Sequence, residues 1–456
     1  MHDLTHLDVP RDYANNLAWR IAIREWAMAD TERQQALCYW CSKDFRLFLN
    51  GFCWLFEPRE NVGAPDKIIP FIAWEHQDAC LDTLLENVGR DDIGFDKSRG
   101  EGASWIVLML FLWRWRFFRM NAFGLVSRTE LAADNPSDPD SLMWKLDWQL
   151  KMLPPWMVPN FDRNQADHTL VNLDNGSQIV GYAATGDIAR GGRKFAFLMD
   201  EIASFKKGQD QEAMNSTSQV TECRILVSTP KGPYGAFYDA MHGENSMIKV
   251  SLKWQQNPLR KKGLYAVKAG RPVLHDWKYW RSRIGNDDLD EQQVARLAYQ
   301  IQDETDNNPF KYRFMLKGPF VREGRVRSLW YDRQCRKPNA TPRGIAQELD
   351  LDYSGSTAII FDISVLENLQ NTMCLPPRHV GDILFDLNPI EMNERWSQRP
   401  GGEIQIWCGL VPGTWRPPNE RSYVIGADIA SGLAGPSSSN SVLDVTDCLT
   451  CEQVAQ

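Results

Sequence analysis

Two segments of this sequence have the residue types and spacing that nucleotide chemistry needs. The first runs from Phe195 to Glu201, an apolar stretch that ends in adjacent carboxylates, Asp200 and Glu201. Side chains alternate along a strand, so two acids at its carboxyl end can take different tasks. One can hold Mg²⁺ and the other can polarise an attacking water. The second segment is Lys97-Ser98-Arg99-Gly100-Glu101-Gly102-Ala103-Ser104-Trp105. It follows a short strand-like stretch at 92–96 and opens an apolar helix. Its glycines let backbone N–H groups approach phosphate oxygens, and the helix amino terminus favours negative charge. Ser104 would offer its hydroxyl to Mg²⁺. The loop departs from G-x-x-x-x-G-K-[ST]: Lys97 stands at the first glycine position and Ala103 at the lysine position. Lys97 or Arg99 would have to bring the positive charge from the other end of the loop. Each segment also has a plain reading, a strand with a polar turn and a glycine-rich turn before a buried helix.

The loop precedes the acidic strand by about a hundred residues, a separation that predicts two strands side by side in one sheet. A third strand-like run ends in Ser228-Thr229-Pro230, a hydroxyl pair suited to sensing a γ-phosphate. Upstream, Gln77 could read an adenine edge, or simply face solvent. Two basic stretches, one beginning at Arg260-Lys261-Lys262 and interleaved with Trp277, Tyr279 and Trp280, the other running from Lys311 to Lys337, suit either a phosphate backbone or a solvated face with ordinary aromatic packing.

These residues have to be positioned by a fold. The chain has 456 residues, 43% hydrophobic, enough for more than one core. Residues 11–56 read as an aromatic-rich helical lead-in. From about 70 to 255 short apolar strands alternate with helices, which predicts an α/β domain with a mainly parallel sheet. Residues 363–420, rich in Pro, Gly and Asn, read as a linker or irregular subdomain. New strands begin at Tyr423 and Ser441. The division expected is 1–60 helical segment, 61–345 ATPase domain, 346–420 linker, and 421–456 the start of a further domain. The formal charge of −8 argues against a surface coated in DNA-binding charge but leaves local patches open. No amino-terminal stretch reads as a signal peptide, and the longest apolar run, 105–113, is too short to span a bilayer. The expectation is a cytoplasmic protein, neither secreted nor membrane-bound, with reduced thiols. Cys38/Cys41 and Cys448/Cys451 have Cys-x-x-Cys spacing but no nearby histidine, so a zinc site is the less favoured reading.

In order and rough spacing, Gln77, the 97–105 loop, Arg190-Gly191, Asp200-Glu201 and Ser228-Thr229-Pro230 resemble the large terminase subunit of tailed phages, over residues 70 to 240. A lysine at the start of the loop is a variation seen in that family; Gly100 stands where the family usually has a loop glutamine. The resemblance implies a P-loop NTPase fold of the RecA/ASCE type and an ATP- and Mg²⁺-dependent motor that drives double-stranded DNA into a procapsid. It implies phosphate contacts from Lys97, Arg99 and the loop residues Ser98, Gly100, Gly102 and Ala103. It further implies Mg²⁺ on Ser104 and Asp200, attacking water on Glu201, coupling through Ser228 and Thr229, and Arg190 as an arginine finger reaching a neighbour's ATP. The stretch from Tyr423 resembles the first strand of the family's RNase H-like nuclease, with Asp428 as the first carboxylate of a divalent metal pair; the later acids would lie beyond Gln456, so cleavage is expected only of a full-length protein. The implied partners are portal protein, small terminase subunit and further copies of the chain in a ring, in the host cytoplasm. Two other readings remain: another DNA-dependent ATPase such as a helicase, and a catalytically silent binding protein.

Overall fold

The computed structural model describes residues 8–58, 66–184, 188, 192–298, 314–356, 375–388, 391–414, 416–428 and 442–456. The chain divides into two compact units, 1–358 and 359–456.

The first unit opens with three helices, α1 (Tyr13–Met28), α2 (Thr31–Lys43) and α3 (Phe45–Phe52), each started by an aspartate. Asp12, Asp30 and Asp44 accept backbone N–H groups of the first turn, the usual work of an N-cap. After α4 (Glu75–Asn87) come β1 (Ile93–Lys97), α5 (Ala103–Phe117), β2 (Ala122–Ser127) and α6 (Leu142–Met152). The strands β3 (Phe161–Asn164), β4 (Thr169–Asn172), β5 (Gln178–Ala183), β6 (Ala196–Asp200), β7 (Arg224–Ser228) and β8 (Ile248–Leu252) complete one eight-stranded sheet. Its order is β8-β1-β7-β6-β2-β5-β4-β3. The six strands from β8 to β5 are parallel, and β4 and β3 add an antiparallel edge. The fold class expected from the sequence, α/β with a mainly parallel sheet and a helical lead-in, is the one observed.

One expectation about the sheet is corrected. The loop strand β1 and the acidic strand β6 do not lie side by side; β7 pairs with both and separates them. The carboxyl ends of β1, β7 and β6 therefore form one row, with the hydroxyl strand in the middle.

Helix α5 explains why the lead-in belongs to the first unit. Ile106 through Trp113, and Trp115, are all buried, so the helix has no polar face to give to water. One side packs on the sheet. Another meets the lead-in: Trp113 donates its indole N–H to the Cys41 carbonyl at 2.6 Å, and its ring lies 5.4 Å from Phe45. The apolar run 105–113 is therefore a core helix, and among the described residues no helix is long and apolar enough to cross a membrane.

The second unit, taken by itself, is a six-stranded antiparallel sheet. Its order by residue is 391–398, 379–388, 404–406, 453–455, 442–447, 423–428. Residues 379–406, read from their Pro, Gly and Asn content as part of a linker, thus supply three strands, in the same sheet as the strands at 423 and 442.

Candidate functional site

The row of strand ends brings together most of the residues that the sequence singled out. Lys97 ends β1 and is buried, with its ammonium 2.9 Å from Glu201 Oε1. Burial presses that ammonium toward its neutral form, but Glu201 and then Asp200 outweigh it and hold Lys97 above the usual lysine range. Asp200 ends β6 and accepts the Ser104 hydroxyl at 2.5 Å. Burial first, then the neighbouring Glu201 carboxylate, push Asp200 above the usual carboxylate range, against the pull of Lys97, Lys145 and Ser104. A hydroxyl and a carboxylate in contact at the first turn of a helix form a hard oxygen donor pair, which fits Mg²⁺.

Glu201 sits just past the strand in left-handed backbone conformation, φ +57°. An L-residue there is strained, and such strain persists where the surroundings over-determine it. Here they do: Glu201 N–H donates to the Val227 carbonyl at 2.7 Å and the carboxylate is drawn to Lys97. Two residues on, the turn is tied to β7, since Ala203 N–H donates to Ser228 Oγ at 3.2 Å. Ser228 and Thr229 are both buried at the end of that middle strand.

The loop between β1 and α5 has two glycines in left-handed conformation, Gly100 (φ +76°) and Gly102 (φ +77°). A Cβ on Gly100 would come within 2.5 Å of the Arg260 guanidinium, and one on Gly102 within 3.2 Å of the Gln77 amide. Backbone sign and space both demand glycine there.

Several loop residues do something other than the sequence suggested. The Ser98 hydroxyl is buried and faces away from the strand-end row, donating to Leu349 O (2.6 Å) and accepting from Trp254 N–H (3.1 Å). Arg99 points outward, pairing with Glu348 at 3.0 Å, while its own N–H donates to the Glu348 carbonyl. Ala103 is buried in an apolar pocket with Phe95, Leu252 and Leu84. Gln77 is buried rather than solvent-facing, and both ends of its amide are committed. Its Nε2 donates to the Glu101 carbonyl (2.8 Å) and its Oε1 accepts from Trp74 N–H (2.8 Å), so it braces the loop. Arg190 lies outside the described residues, as does Gly191. Asp428 ends its strand in the second unit and is exposed. Among the described residues, no group of three or more His, Cys, Asp or Glu side chains is arranged to hold a metal ion. Cys41 is buried on α2 while Cys448 and Cys451 are exposed in the second unit.

Sequence reasoning missed two features. The first is the support of Glu101, fully buried in the loop. Its carboxylate accepts from Arg260 (2.6 Å) and Asn257 (3.1 Å) and meets His76 Nε2 at 3.2 Å. Arg260 also donates to the carbonyls of Arg99 (2.6 Å) and Gly100 (3.1 Å), and its guanidinium lies over Trp330 at 4.6 Å. Arg260, one end of a basic stretch that suited either a phosphate backbone or a solvated face, is thus a clasp on the 97–105 loop. Trp280 from the same stretch is core. The second feature is Lys145 on α6, buried within electrostatic reach of Asp200 and Lys97. No local pattern marks it; only the approach of α6 to α5 brings it there.

Neither a protein-family model nor a curated protein matches the sequence. Among solved structures, the chain is similar to the large terminase of a thermophilic bacteriophage, at 18% identity and TM-score 0.33 over 40% of this chain and 46% of that one. That terminase has also been solved with ADP and with ATP-γ-S. The HK97 bacteriophage large terminase gives 13% identity and TM-score 0.39 over 76% and 62% of the two chains. The ATPase domain of the Thermus phage P74-26 large terminase gives 15% and 0.30 over 46% and 87%. Likeness at this level is a likeness only, and the site's own geometry carries the functional reading.

Proposed function

We propose that the chain is a Mg²⁺-dependent ATPase whose turnover moves double-stranded DNA, the motor subunit of a phage packaging terminase. One observation carries the reading: Ser104 on Asp200 and Lys97 on Glu201, two complementary pairs at the carboxyl ends of β1 and β6, on either side of β7, and at the first turn of α5. The carboxyl edge of such a sheet is where ligands of α/β proteins bind, and the helix that opens at Ala103 directs its amino terminus there.

Ser104 Oγ and the Asp200 carboxylate would hold Mg²⁺, directly or through water. When bound, that ion offsets charge on the β- and γ-phosphates. Lys97 reaches the same point from the start of the loop and would exchange Glu201 for a phosphate oxygen. Glu201, so released, would accept a hydrogen bond from the attacking water and orient it in line with the γ-phosphorus. Ser228, bonded to the turn that carries Glu201, would pass the change to the middle strand, with Thr229 beside it. Arg190 would act on the neighbouring subunit's nucleotide in a ring, and portal protein and small subunit would complete the machine. Two-metal DNA cleavage needs several converging carboxylates, and Asp428 would be one of them.

The test is ATP hydrolysis by the purified chain, with and without double-stranded DNA, for wild type and Glu201→Ala. DNA-stimulated hydrolysis that the variant lacks supports the motor. A variant as active as wild type, or no hydrolysis by wild type assembled on a portal, removes it.

A further inference from the structure

The phosphate site has a charge problem that Lys97 alone does not solve. A general phosphate loop brings its lysine from the position before the serine, here Ala103, and that side chain is buried among apolar groups. Arg99, the other cation of the loop, is turned outward onto Glu348. Lys97 is already matched against Glu201.

Lys145 supplies a second positive charge from an unexpected direction. It lies in the first turns of α6, whose start is fixed by the Ser141 hydroxyl accepting from Trp144 N–H. A lysine side chain in that position leans back toward the helix amino terminus, and its Nζ donates to the Asp140 carbonyl at 2.7 Å. The residue is 9% exposed, and the Trp105 ring, next to Ser104, lies 5.8 Å from the ammonium. An ammonium has three donors, and the Asp140 carbonyl takes one. Trp105 follows Ser104, whose hydroxyl meets Asp200 at 2.5 Å, so α6 brings this ammonium to the start of α5. Burying a lysine is costly unless something compensates it, and a helix needing only a capped start has no use for an ammonium.

We propose that Lys145 is the second cation of the phosphate site and meets the γ-phosphate of bound ATP, the role left open by Ala103. The inference rests on the ATPase reading. The terminal phosphate is the one assigned because Lys145 comes from α6, at the start of α5, rather than from the loop that would hold the α- and β-phosphates.

The experiment compares equilibrium binding of ATP-γ-S and of ADP, each with Mg²⁺, to the full chain and to Lys145→Gln. Glutamine keeps an N–H for the Asp140 carbonyl and removes the charge, so the helix anchor survives. The expected result is an affinity for ATP-γ-S lower by about 10- to 100-fold, the loss of one charged hydrogen bond, with ADP within about twofold of wild type. Lys145→Arg should recover part of the ATP-γ-S affinity. If the glutamine variant does not fold, Lys145→Met, matched in length and apolar, gives the same comparison. Equal losses for the two nucleotides, or no loss for either, overturn the assignment while leaving the ATPase reading intact. Wild type that binds neither nucleotide overturns both.

Discussion

The strained backbone at Glu201 yields a prediction that separates stability from chemistry. Replacing Glu201 by alanine and by glycine removes the same carboxylate and the same contact with Lys97, so those losses cancel when the two variants are compared. What remains is the backbone, φ +57° at this residue. Left-handed conformation costs an L-residue about 1–2 kcal/mol. Glycine escapes that cost but loses more freedom on folding, worth about 0.4–1 kcal/mol against alanine. Glu201→Gly should therefore be the more stable variant by about 1 kcal/mol, roughly fivefold in the unfolding equilibrium. Urea unfolding followed by tryptophan fluorescence reads this as a higher midpoint at unchanged slope. Both variants should be without ATP turnover, which shows that the strained residue is retained for its carboxylate and not for stability. A glycine variant no more stable than the alanine one would refute the strain argument; turnover in either would refute the role of the carboxylate.

Other perturbations probe the loop. Lys97→Ala should abolish measurable nucleotide binding, whereas Arg99→Ala should bind within about threefold of wild type, because Arg99 is directed at Glu348; equilibrium binding of a fluorescent ATP analogue distinguishes them. Ala103→Lys, which restores the general loop pattern, should destabilise by several kcal/mol, since it puts a charge and about three extra carbons into a pocket lined by Phe95, Leu84 and Leu252. A thermal midpoint at or above wild type would show that residue 103 faces the phosphates after all. Arg260→Ala should leave Glu101 buried without its closest cation and cost about 3–5 kcal/mol in chemical denaturation, with ATP affinity falling as the loop loosens; an unchanged midpoint would remove the clasp.

What could be read in the sequence followed from local regularity. The inner strands of the parallel sheet are covered on both faces, so they appear as short apolar runs, and the run read from Phe195 to Glu201 lies within a residue of β6 at each end. Helix α5 was equally visible as the apolar helix that the loop opens. The pairing order was not. A separation of about a hundred residues says that two strands share a sheet, but it cannot say that β7, which comes later in the chain, inserts between them. The functional consequence is large, because that insertion puts the Ser228 hydroxyl under the turn that carries Glu201.

The loop residues show the same limit more sharply. The glycines at 100 and 102 take positive φ, a property of one residue that its type alone suggests. The direction of a side chain depends on what packs against the loop from elsewhere, and here residues 348 and 349 and Trp254 approach from far along the chain to take the Arg99 N–H and the Ser98 hydroxyl. Gln77 was identified as a residue that mattered, yet its amide is needed to hold the Glu101 carbonyl. Glu101 itself reads as a surface acid in a polar loop; its burial is tolerable only because Arg260, Asn257 and His76 converge on it from two other segments. A phosphate loop needs positive charge at a point in space, and a pattern of letters specifies that charge only when it comes from the loop itself. Once the loop lysine sits at 97 instead of 103, the same demand can be met from the opposite end of the loop and from a neighbouring helix, and only the fold reveals Lys145 as a candidate to meet it.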